Sequence, residues 1–290
     1  MHNTELIFLK SIESIRCDFL NIFFGLITLL GEETVLVVII CTVYFAYSKD
    51  IAKKITFITL TSLGFNSTIK NIAKVPRPFS NGAVTCLRPD TATGYSFPSG
   101  HTQNFAAWSS AFAFILKSKL LLILSVIITA LVAFSRIYLG AHYPSDVIAG
   151  GMIGILTAYI CNKLYDKFER KTLLYAILIL LYAPFAVYFI SFADIHFEDF
   201  FKIYGMIAGF LCSEIFETRF VKYECNGNIL KKTLRVTTAV MSAFVIKSYW
   251  GELFSFSDIR LMFVSDAIKY FLLIFTVFAL CPYVFVKTGL

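Results

Sequence analysis

The chain has 290 residues, of which 58% are hydrophobic and only 16% are charged. Soluble domains carry about 25% charged residues, so this composition excludes an ordinary soluble protein and indicates one embedded in lipid. The net charge of +7 does not indicate nucleic-acid binding, because Lys and Arg cluster in short segments between apolar runs, as membrane topology requires. The seven Cys lie mostly in apolar runs, without the spacing of a disulfide framework or a zinc site.

The chain begins with an amphipathic segment followed by a short apolar run. Charged and apolar side chains mix in residues 1–16, which predicts an interfacial helix and not a cleavable signal sequence. Residues 19–30 are short for a membrane span, but the run is predicted to cross if it extends back through Ile12. Gly31-Glu32-Glu33 then breaks the run. These carboxylates either complement the dipole of the next helix or place Glu33 near the mouth of an active site.

The next helices are predicted from apolar runs that end at proline, glycine or charged residues. They cover residues 35–47, 55–73, 101–116, 120–138 and 145–164. Residues 79–97 are polar and contain turn signals such as Arg88-Pro89-Asp90, which predicts a long loop. Gly150, Gly151 and Gly154 in the last of these helices form a small-residue face for close helix packing.

Four more apolar runs follow, and each is about long enough to span a membrane. They are residues 172–192, 200–216, 234–250 and 263–286. Ionisable groups inside such runs need partners, and Arg219 and Arg235 are the nearby candidates for Glu214. The pattern predicts an all-α, polytopic transmembrane protein with a six-helix part in residues 1–166 and about four additional helices in residues 167–290.

Three polar clusters interrupt the apolar sequence between residues 70 and 146. They read Lys70-x6-Arg77-Pro78, Pro98-Ser99-Gly100-His101 and Ser135-Arg136-x5-His142-x3-Asp146. Phosphate transfer requires permanent cations, a nucleophile, a proton donor for the leaving group and a carboxylate that holds the nucleophile, and the clusters supply all four. We therefore predict a phosphoryl-transfer site that needs no metal and no other cofactor.

The cations of this predicted site are Lys70, Arg77 and Arg136. The two guanidinium groups can each bind two phosphoryl oxygens, and Lys70 adds a compact point charge. Ser99 and Gly100 come just before an apolar helix, where free backbone N–H groups and the helix dipole favour an anion. Together these residues are predicted to bind phosphate and to stabilise the charge of the transition state.

Two histidines remain for bond making and bond breaking. Asp146 follows His142 at i+4, so if Pro144 begins a helix, the carboxylate accepts one imidazole N–H and leaves the other nitrogen free to attack phosphorus. His101 is then the general acid.

Three other residues are weaker candidates. Ser135 either binds phosphate or only packs at the end of its helix, because Ser is common in membrane helices. Arg88 in the long loop either contacts a lipid head group or is exposed without a specific contact. Pro78, with Pro76, ends the preceding helix. A single Lys, Arg or His near a membrane helix end is usually an interfacial anchor, but three complementary clusters favour catalysis.

In order and in spacing, the three clusters resemble the signature of the type 2 phosphatidic acid phosphatase superfamily, the membrane lipid-phosphate phosphatases. The resemblance implies that His142 is transiently phosphorylated and oriented by Asp146, and that His101 protonates the leaving group and then activates water. It implies phosphate binding by Lys70, Arg77, Ser99, Gly100 and Arg136. Residues 1–166 are then the catalytic domain, and residues 167–290 are an appended membrane domain of unknown role.

The resemblance further implies hydrolysis of a lipid phosphate monoester or diphosphate in the bilayer. The substrates it suggests are undecaprenyl pyrophosphate, phosphatidylglycerol phosphate and phosphatidic acid. One alternative is a lipid phosphotransferase, in which an alcohol takes the phosphoryl group from His142. Another is a phosphatase-gated lipid transporter, although the inverted repeats of a carrier are not evident. The vanadate-dependent haloperoxidases share a similar signature, but they are soluble, and the predicted spans argue against them.

The distribution of Lys and Arg predicts the orientation in the membrane. One set of turns is basic, and it comprises residues 49–54, 117–119, 163–171, 219–232 and 287. The opposite set contains Glu32, Glu33 and the acidic residues 194–199. Because positive loops stay in the cytoplasm, the catalytic clusters are predicted to lie on the non-cytoplasmic face. Cys86 is then the only cysteine in an external loop, and Cys225 faces the cytoplasm.

Overall fold

The chain is α-helical in its computed structural model, which describes residues 2–80 and 82–290 and contains no β-strand among them. The helices are α1 (His2–Ser14), α2 (Asp18–Thr28), α3 (Glu33–Thr42), α4 (Lys49–Ala73), α5 (Gly100–Ile115), α6 (Lys119–Tyr138), α7 (Pro144–Lys167), α8 (Lys171–Phe192), α9 (Glu198–Phe216), α10 (Ile229–Leu253), α11 (Ile259–Phe275) and α12 (Cys281–Thr288). This confirms the predicted all-α class. Helices α4 and α10 begin earlier than predicted, because their polar first turns carry no apolar periodicity.

Four segments are long and apolar enough to cross a membrane, namely α6, α7, α8 and the stretch Ile259–Thr288 that contains α11 and α12. Asp18–Gly31 and Glu33–Tyr47 meet the same criterion only as a pair, which is bent by 52° and forms one broken span or a re-entrant loop. The described residues therefore contain four candidate spans, or five with this pair. Helices α4, α5, α9 and α10 occur where helices were predicted, but they are shorter or more polar than a candidate span.

The chain forms two compact units. Unit 1 comprises Met1–Leu36 and Thr61–Lys163, and unit 2 comprises Val37–Leu60 and Leu164–Leu290. The predicted division at residue 166 separates a catalytic from an appended part by function. This functional division stays a prediction, because the two compact units do not show which residues are catalytic.

Within unit 1, α1 lies against the loops that connect the later helices. Glu13 accepts a hydrogen bond from the Thr85 backbone N–H (3.0 Å), and Arg16 Nη2 donates to the Tyr138 carbonyl (2.8 Å). Burial alone would raise the pKa of Glu13, but hydrogen bonds from Thr85 and the charge of Arg16 lower it below its ordinary value. These contacts fix α1 to the end of unit 1 at which α6 terminates.

Helix α2 begins and ends at that same end of unit 1. At its start, the Cys17 backbone N–H donates to the Tyr138 hydroxyl (3.3 Å). Just beyond its end, Glu32 pairs with Arg88 (3.0 Å), whose neighbour Leu87 donates a backbone hydrogen bond to Leu139 (3.0 Å). The crossing predicted for residues 12–30 is therefore wrong. The physical reason is length, because 11 residues at about 1.5 Å each cannot cover a hydrocarbon core of about 30 Å.

Two glycines bring α7 into backbone contact with α5. A Cβ at Gly154 would lie 2.5 Å from the Gln103 carbonyl oxygen, and one at Gly150 would lie 2.7 Å from the Ser99 carbonyl oxygen. At Gly151 the nearest atom would be at the ordinary distance of 3.6 Å. The predicted small-residue face is thus confirmed at two of the three glycines, where it holds the start of α5 against α7.

Unit 2 contains buried ion pairs. Lys53 lies 2.9 Å from Glu214 and 2.8 Å from Glu217, and the three side chains are at most 8% exposed. The partner of Glu214 is thus Lys53, and the predicted pairing with Arg219 or Arg235 is wrong. The three-dimensional packing brings in a lysine of α4, which lies far from Glu214 along the chain.

Candidate active site

The three polar clusters meet at one end of unit 1, where α4 and α6 end and where α5 and α7 begin. His142 interacts electrostatically with Arg77, Lys70, Arg136 and His101. The structure therefore brings together side chains from all three clusters.

His142 and Asp146 form a buried dyad. Pro144 begins α7, and Asp146 stands in its first turn. His142 Nδ1 lies 3.3 Å from Asp146 Oδ2, and both side chains are 1% exposed. The same carboxylate oxygen accepts a hydrogen bond from the Tyr143 backbone N–H (2.9 Å). The carboxylate therefore holds the imidazole in one orientation, with Nδ1 turned towards it.

Arg77 is held by three backbone carbonyls as well as by the histidine. Its Nε donates to Gly94 (2.9 Å), its Nη1 to Ala141 (3.1 Å) and its Nη2 to Thr93 (2.5 Å). Nη1 also contacts His142 Nε2 at 3.1 Å. Since these contacts occupy most of the guanidinium N–H groups, a two-oxygen grip on phosphate requires one of them to break. Among these contacts, the one with His142 covers the ring nitrogen that is turned away from Asp146.

The contacts of His142 determine its tautomer and its charge. Arginine only donates hydrogen bonds, so Nε2 carries the lone pair and the Nδ1 proton faces Asp146. Burial lowers the pKa of His142 well below its ordinary value, and the charges of Arg77, Lys70 and Arg136 lower it further. Both effects favour the neutral imidazole, and a neutral imidazole with its lone pair on Nε2 has the chemistry of a nucleophile.

Arg136 and Lys70 complete the cationic side of the site. Arg136 is fully buried, and its Nη1 donates to the hydroxyls of Thr28 (3.0 Å) and Thr91 (3.3 Å). Its Nε is buried and has no hydrogen-bond partner among the described residues. Lys70 donates to the Tyr95 carbonyl (2.7 Å). Arg136 thus keeps a buried donor for which the described residues supply no acceptor, and an anion would satisfy this group.

The N-terminus of α5 lies beside the dyad. The Ser99 backbone N–H donates to the Asp146 carbonyl (3.0 Å), and Ser99 Oγ lies 3.1 Å from Thr102 Oγ1. Gly100 faces Asn66 of α4, whose Oδ1 would lie 3.4 Å from an added Cβ. His101 Nε2 is buried and has no hydrogen-bond partner among the described residues. That nitrogen is therefore available to exchange a proton with a bound molecule.

The structure places two of the weaker candidates, Ser135 and Pro78, next to residues that are close to them along the chain. Ser135 is buried, and its hydroxyl donates to the Val132 carbonyl within α6 (2.6 Å). Pro78 stands in the turn that follows Arg77. Neither observation assigns them a role in phosphate binding.

Arg88, the third weaker candidate, has specific contacts. Its Nη2 lies 3.0 Å from Glu32 Oε1, and its Nη1 donates to the Gly25 carbonyl (3.2 Å). The alternative of an exposed arginine without specific contacts is therefore wrong. The carboxylate that contacts Arg88 is that of Glu32. Its neighbour Glu33 is the residue that the sequence suggested for the mouth of an active site.

Ser96 is a residue of the site that the sequence patterns did not reveal. Its hydroxyl donates to Asp146 Oδ2 (2.5 Å) and lies 3.4 Å from His142 Nδ1. It comes three residues before Ser99 in a polar loop, where serine is common, so no spacing distinguished it. In the described part of the chain, no group of three or more His, Cys, Asp or Glu side chains is arranged to hold a metal ion.

Fold and site together define a helical membrane protein with a buried histidine–carboxylate dyad beside three cations. Residues 51–170 match the family model of the PAP2 superfamily, and residues 201–290 match that of the PAP2 superfamily phosphatase, transmembrane extension. The two matches cover more than half of the chain. The protein therefore belongs to the PAP2 superfamily, as the resemblance of its three clusters predicted.

Two relatives are similar to part of the chain. Phosphatidylglycerophosphatase B of Bacillus subtilis is 33% identical over 98 residues, which are 29% of this chain and 48% of that protein. Undecaprenyl-diphosphatase of Sulfolobus acidocaldarius is 36% identical over 107 residues, which are 37% of this chain and 50% of that protein. The chain thus spans about half the length of these relatives.

One solved structure is similar as well. It is the crystal structure of the first transmembrane PAP2 type phosphatidylglycerolphosphate phosphatase from Bacillus subtilis, with a TM-score of 0.50 and 26% identity. The similarity covers 59% of this chain and 88% of that one. Together with the candidate spans, this likeness identifies the chain as an integral membrane protein.

Proposed function

We propose that the chain is an integral-membrane lipid phosphatase that cleaves a phosphate monoester or a diphosphate through a phosphohistidine at His142, without a metal ion. The observation that carries the proposal is the geometry of His142, whose Nδ1 lies 3.3 Å from Asp146 Oδ2 and whose Nε2 lies 3.1 Å from Arg77 Nη1. A histidine held in this way is an oriented nucleophile beside a cation that attracts phosphate.

The reaction proceeds in two steps. In the first, the negative charge of the bound phosphate favours the protonated form of His101. Nε2 of His142 bonds to phosphorus while the bond to the leaving oxygen breaks, and that oxygen takes the proton from the His101 imidazolium, which becomes neutral. The Nδ1 proton stays on His142, stabilised by Asp146 as the ring becomes cationic. In the second, His101 takes a proton from water, whose oxygen bonds to phosphorus, and the P–N bond breaks to release inorganic phosphate. Both histidines then return to their starting states.

The three cations bind different parts of the negatively charged phosphoryl group. Arg136 offers its buried Nε, and Lys70 adds a point charge. Arg77 exchanges its contact with Nε2 for a phosphoryl oxygen, which frees the nucleophile when the substrate is in place. Ser99 and Gly100 add the N-terminus of α5.

The relatives suggest two groups of substrates. The relative from Sulfolobus acidocaldarius is an undecaprenyl-diphosphatase, and that from Bacillus subtilis is a phosphatidylglycerophosphatase. We place undecaprenyl pyrophosphate and phosphatidylglycerol phosphate ahead of phosphatidic acid as substrates. The site opens to the non-cytoplasmic face, because the basic turns belong to the opposite side.

The test is release of inorganic phosphate from these three lipids by the purified full-length chain in detergent, with and without a metal chelator. Release should be unaffected by the chelator. His142→Ala should abolish release and the acid-labile phosphoenzyme alike. The matched control is His196→Ala, an exposed histidine of unit 2 paired with Asp194, which should keep full activity. Robust activity of His142→Ala would remove it as the nucleophile, and lipid phosphate transfer without phosphate release would indicate a phosphotransferase.

A further inference from the structure

A bend in the chain at residues 28–32, which we call the elbow, closes one side of the candidate site. Its first residue accepts the hydrogen bond from Arg136 described above. Gly31 packs directly on His101, because a Cβ there would lie 2.6 Å from the His101 carbonyl oxygen and 2.8 Å from its Cβ. The elbow therefore contacts both the proposed general acid and one of the proposed phosphate ligands.

Arg88 is bound to the same elbow. It forms the ion pair with Glu32, and the two side chains are 30% and 23% exposed. The pair thus lies at the rim of the site and not in its core. Arg88 also interacts electrostatically with His101 and with Arg136. Its charge therefore lies near both Arg136 and His101, the residue that protonates the leaving group in the proposed reaction.

The position of Arg88 matters because leaving groups of different substrates carry different charges. In an in-line displacement the leaving oxygen lies opposite the attacking atom, His142 Nε2. A phosphate monoester leaves as an alcohol, which needs only the proton of His101. A lipid diphosphate leaves as a lipid monophosphate, which carries negative charge of its own. Lys70, Arg77 and Arg136 hold the transferred phosphoryl group, so this second phosphate needs a further cation.

We propose that Arg88 binds the second phosphate of a lipid diphosphate, and that Glu32 neutralises Arg88 until such a substrate arrives. The proposal rests on the proposed function. The terminal phosphorus bonds to His142 while the bridging P–O bond breaks, and its electron pair stays on the lipid monophosphate, which Arg88 holds and His101 protonates. Water then releases inorganic phosphate from His142. The site thereby favours lipid diphosphates over lipid monoesters.

The test compares two substrates in the same detergent micelles, a polyprenyl diphosphate and phosphatidic acid, using the full-length chain. Arg88→Gln should lower kcat/KM for the diphosphate by about 10- to 100-fold, because charge-assisted hydrogen bonds are lost. For phosphatidic acid the change should stay below about three-fold. Arg88→Lys, which keeps the charge, should recover part of the loss. Arg219→Gln, an exposed arginine of unit 2, is the control and should change neither substrate.

Inhibition by inorganic anions tests whether the site recognises the phosphate groups in the absence of a lipid tail. Arg88→Gln should weaken inhibition by inorganic pyrophosphate and leave inhibition by orthophosphate unchanged. Glu32→Gln should strengthen inhibition by pyrophosphate, because it removes the competing carboxylate. Equal losses for both substrates in Arg88→Gln, or an undiminished rate with the diphosphate, would overturn the proposal. If the unaltered protein releases phosphate from neither lipid, the proposed function fails instead.

Discussion

Asp146 faces Nδ1 of His142 and leaves Nε2 as the nitrogen for the proposed attack. Its Oδ2 receives the Ser96 hydroxyl, the Tyr143 backbone N–H and the His142 ring at once. Each of these contacts comes from the loop before α5 or the turn before α7. The tautomer of the proposed nucleophile therefore depends on two chain segments that are brought together only by the fold.

Replacing this carboxylate by an amide tests its role. Asp146→Asn should fold but lose about 100- to 1,000-fold in kcat, because an amide permits the wrong tautomer and cannot stabilise the imidazolium. Ser96→Ala should lose about ten-fold, since it removes one hydrogen bond that orients the carboxylate. Single-turnover formation of the phosphoenzyme measures both effects. A wild-type rate in Asp146→Asn would show that the dyad is assigned wrongly.

The charge of His142 sets the expected pH dependence. Burial and the cations Arg77, Lys70 and Arg136 hold its pKa well below the ordinary value. Because the neutral ring is the proposed nucleophile, the acid limb of kcat/KM should lie below pH 6.5, the usual pKa of histidine. Lys70→Gln removes one of the lowering charges, so the limb should move to higher pH while the rate falls. Arg219→Gln should leave the limb in place, and an unmoved limb in Lys70→Gln would contradict the argument.

At the scale of elements, the contact between α7 and α5 sets the geometry of the site. The Ser99 backbone N–H donates to the Asp146 carbonyl across this contact. Gly150 and Gly154 allow the two helices to approach until backbone meets backbone. The distance between the proposed acid on α5 and the dyad at α7 therefore depends on the absence of two side chains.

Gly154→Ala tests this contact, with Gly151→Ala as its matched control. The added Cβ at residue 154 would lie 2.5 Å from the Gln103 carbonyl and 2.8 Å from the Ala106 Cβ, so the helices must separate. We expect a loss of about 1–3 kcal/mol in stability and a lower kcat. At residue 151 the nearest atom is 3.6 Å away, so alanine should be neutral or stabilising there. Thermal unfolding in detergent and phosphate release measure the two effects. Equal behaviour of the two variants would contradict the packing argument.

At the scale of the whole molecule, the orientation in the membrane is the main consequence of the loop charges. The structure changes one part of that picture, because Cys17 is exposed and lies beside Tyr138 at the catalytic end of unit 1. Cys86 follows Thr85, the residue that contacts α1 there. The prediction that Cys86 is the only cysteine on that side is therefore wrong, since α2 begins and ends at one end of the unit.

Cysteine labelling of intact cells tests the orientation. Variants that keep a single cysteine at residue 17, 86 or 225 are treated with a membrane-impermeant maleimide. Residues 17 and 86 should react, and Cys225 in the basic segment 219–232 should be spared until the cells are opened. Cys17 should react faster than the half-buried Cys86. Labelling of Cys225 alone would invert the topology and place the substrate in the cytoplasmic leaflet.

The sequence by itself determined the helical class, most helix positions and the three polar clusters, because these depend on local signals. Apolar run length, proline and glycine breaks and the i+4 spacing of His142 and Asp146 are all readable within one segment. Only the tertiary structure decided that Arg77 holds Nε2, that Ser96 joins the dyad and that Glu32 meets Arg88. It also decided that α2 starts and finishes at one end of its unit. These features depend on how separate helices pack, and packing brings together residues whose separation along the chain carries no pattern.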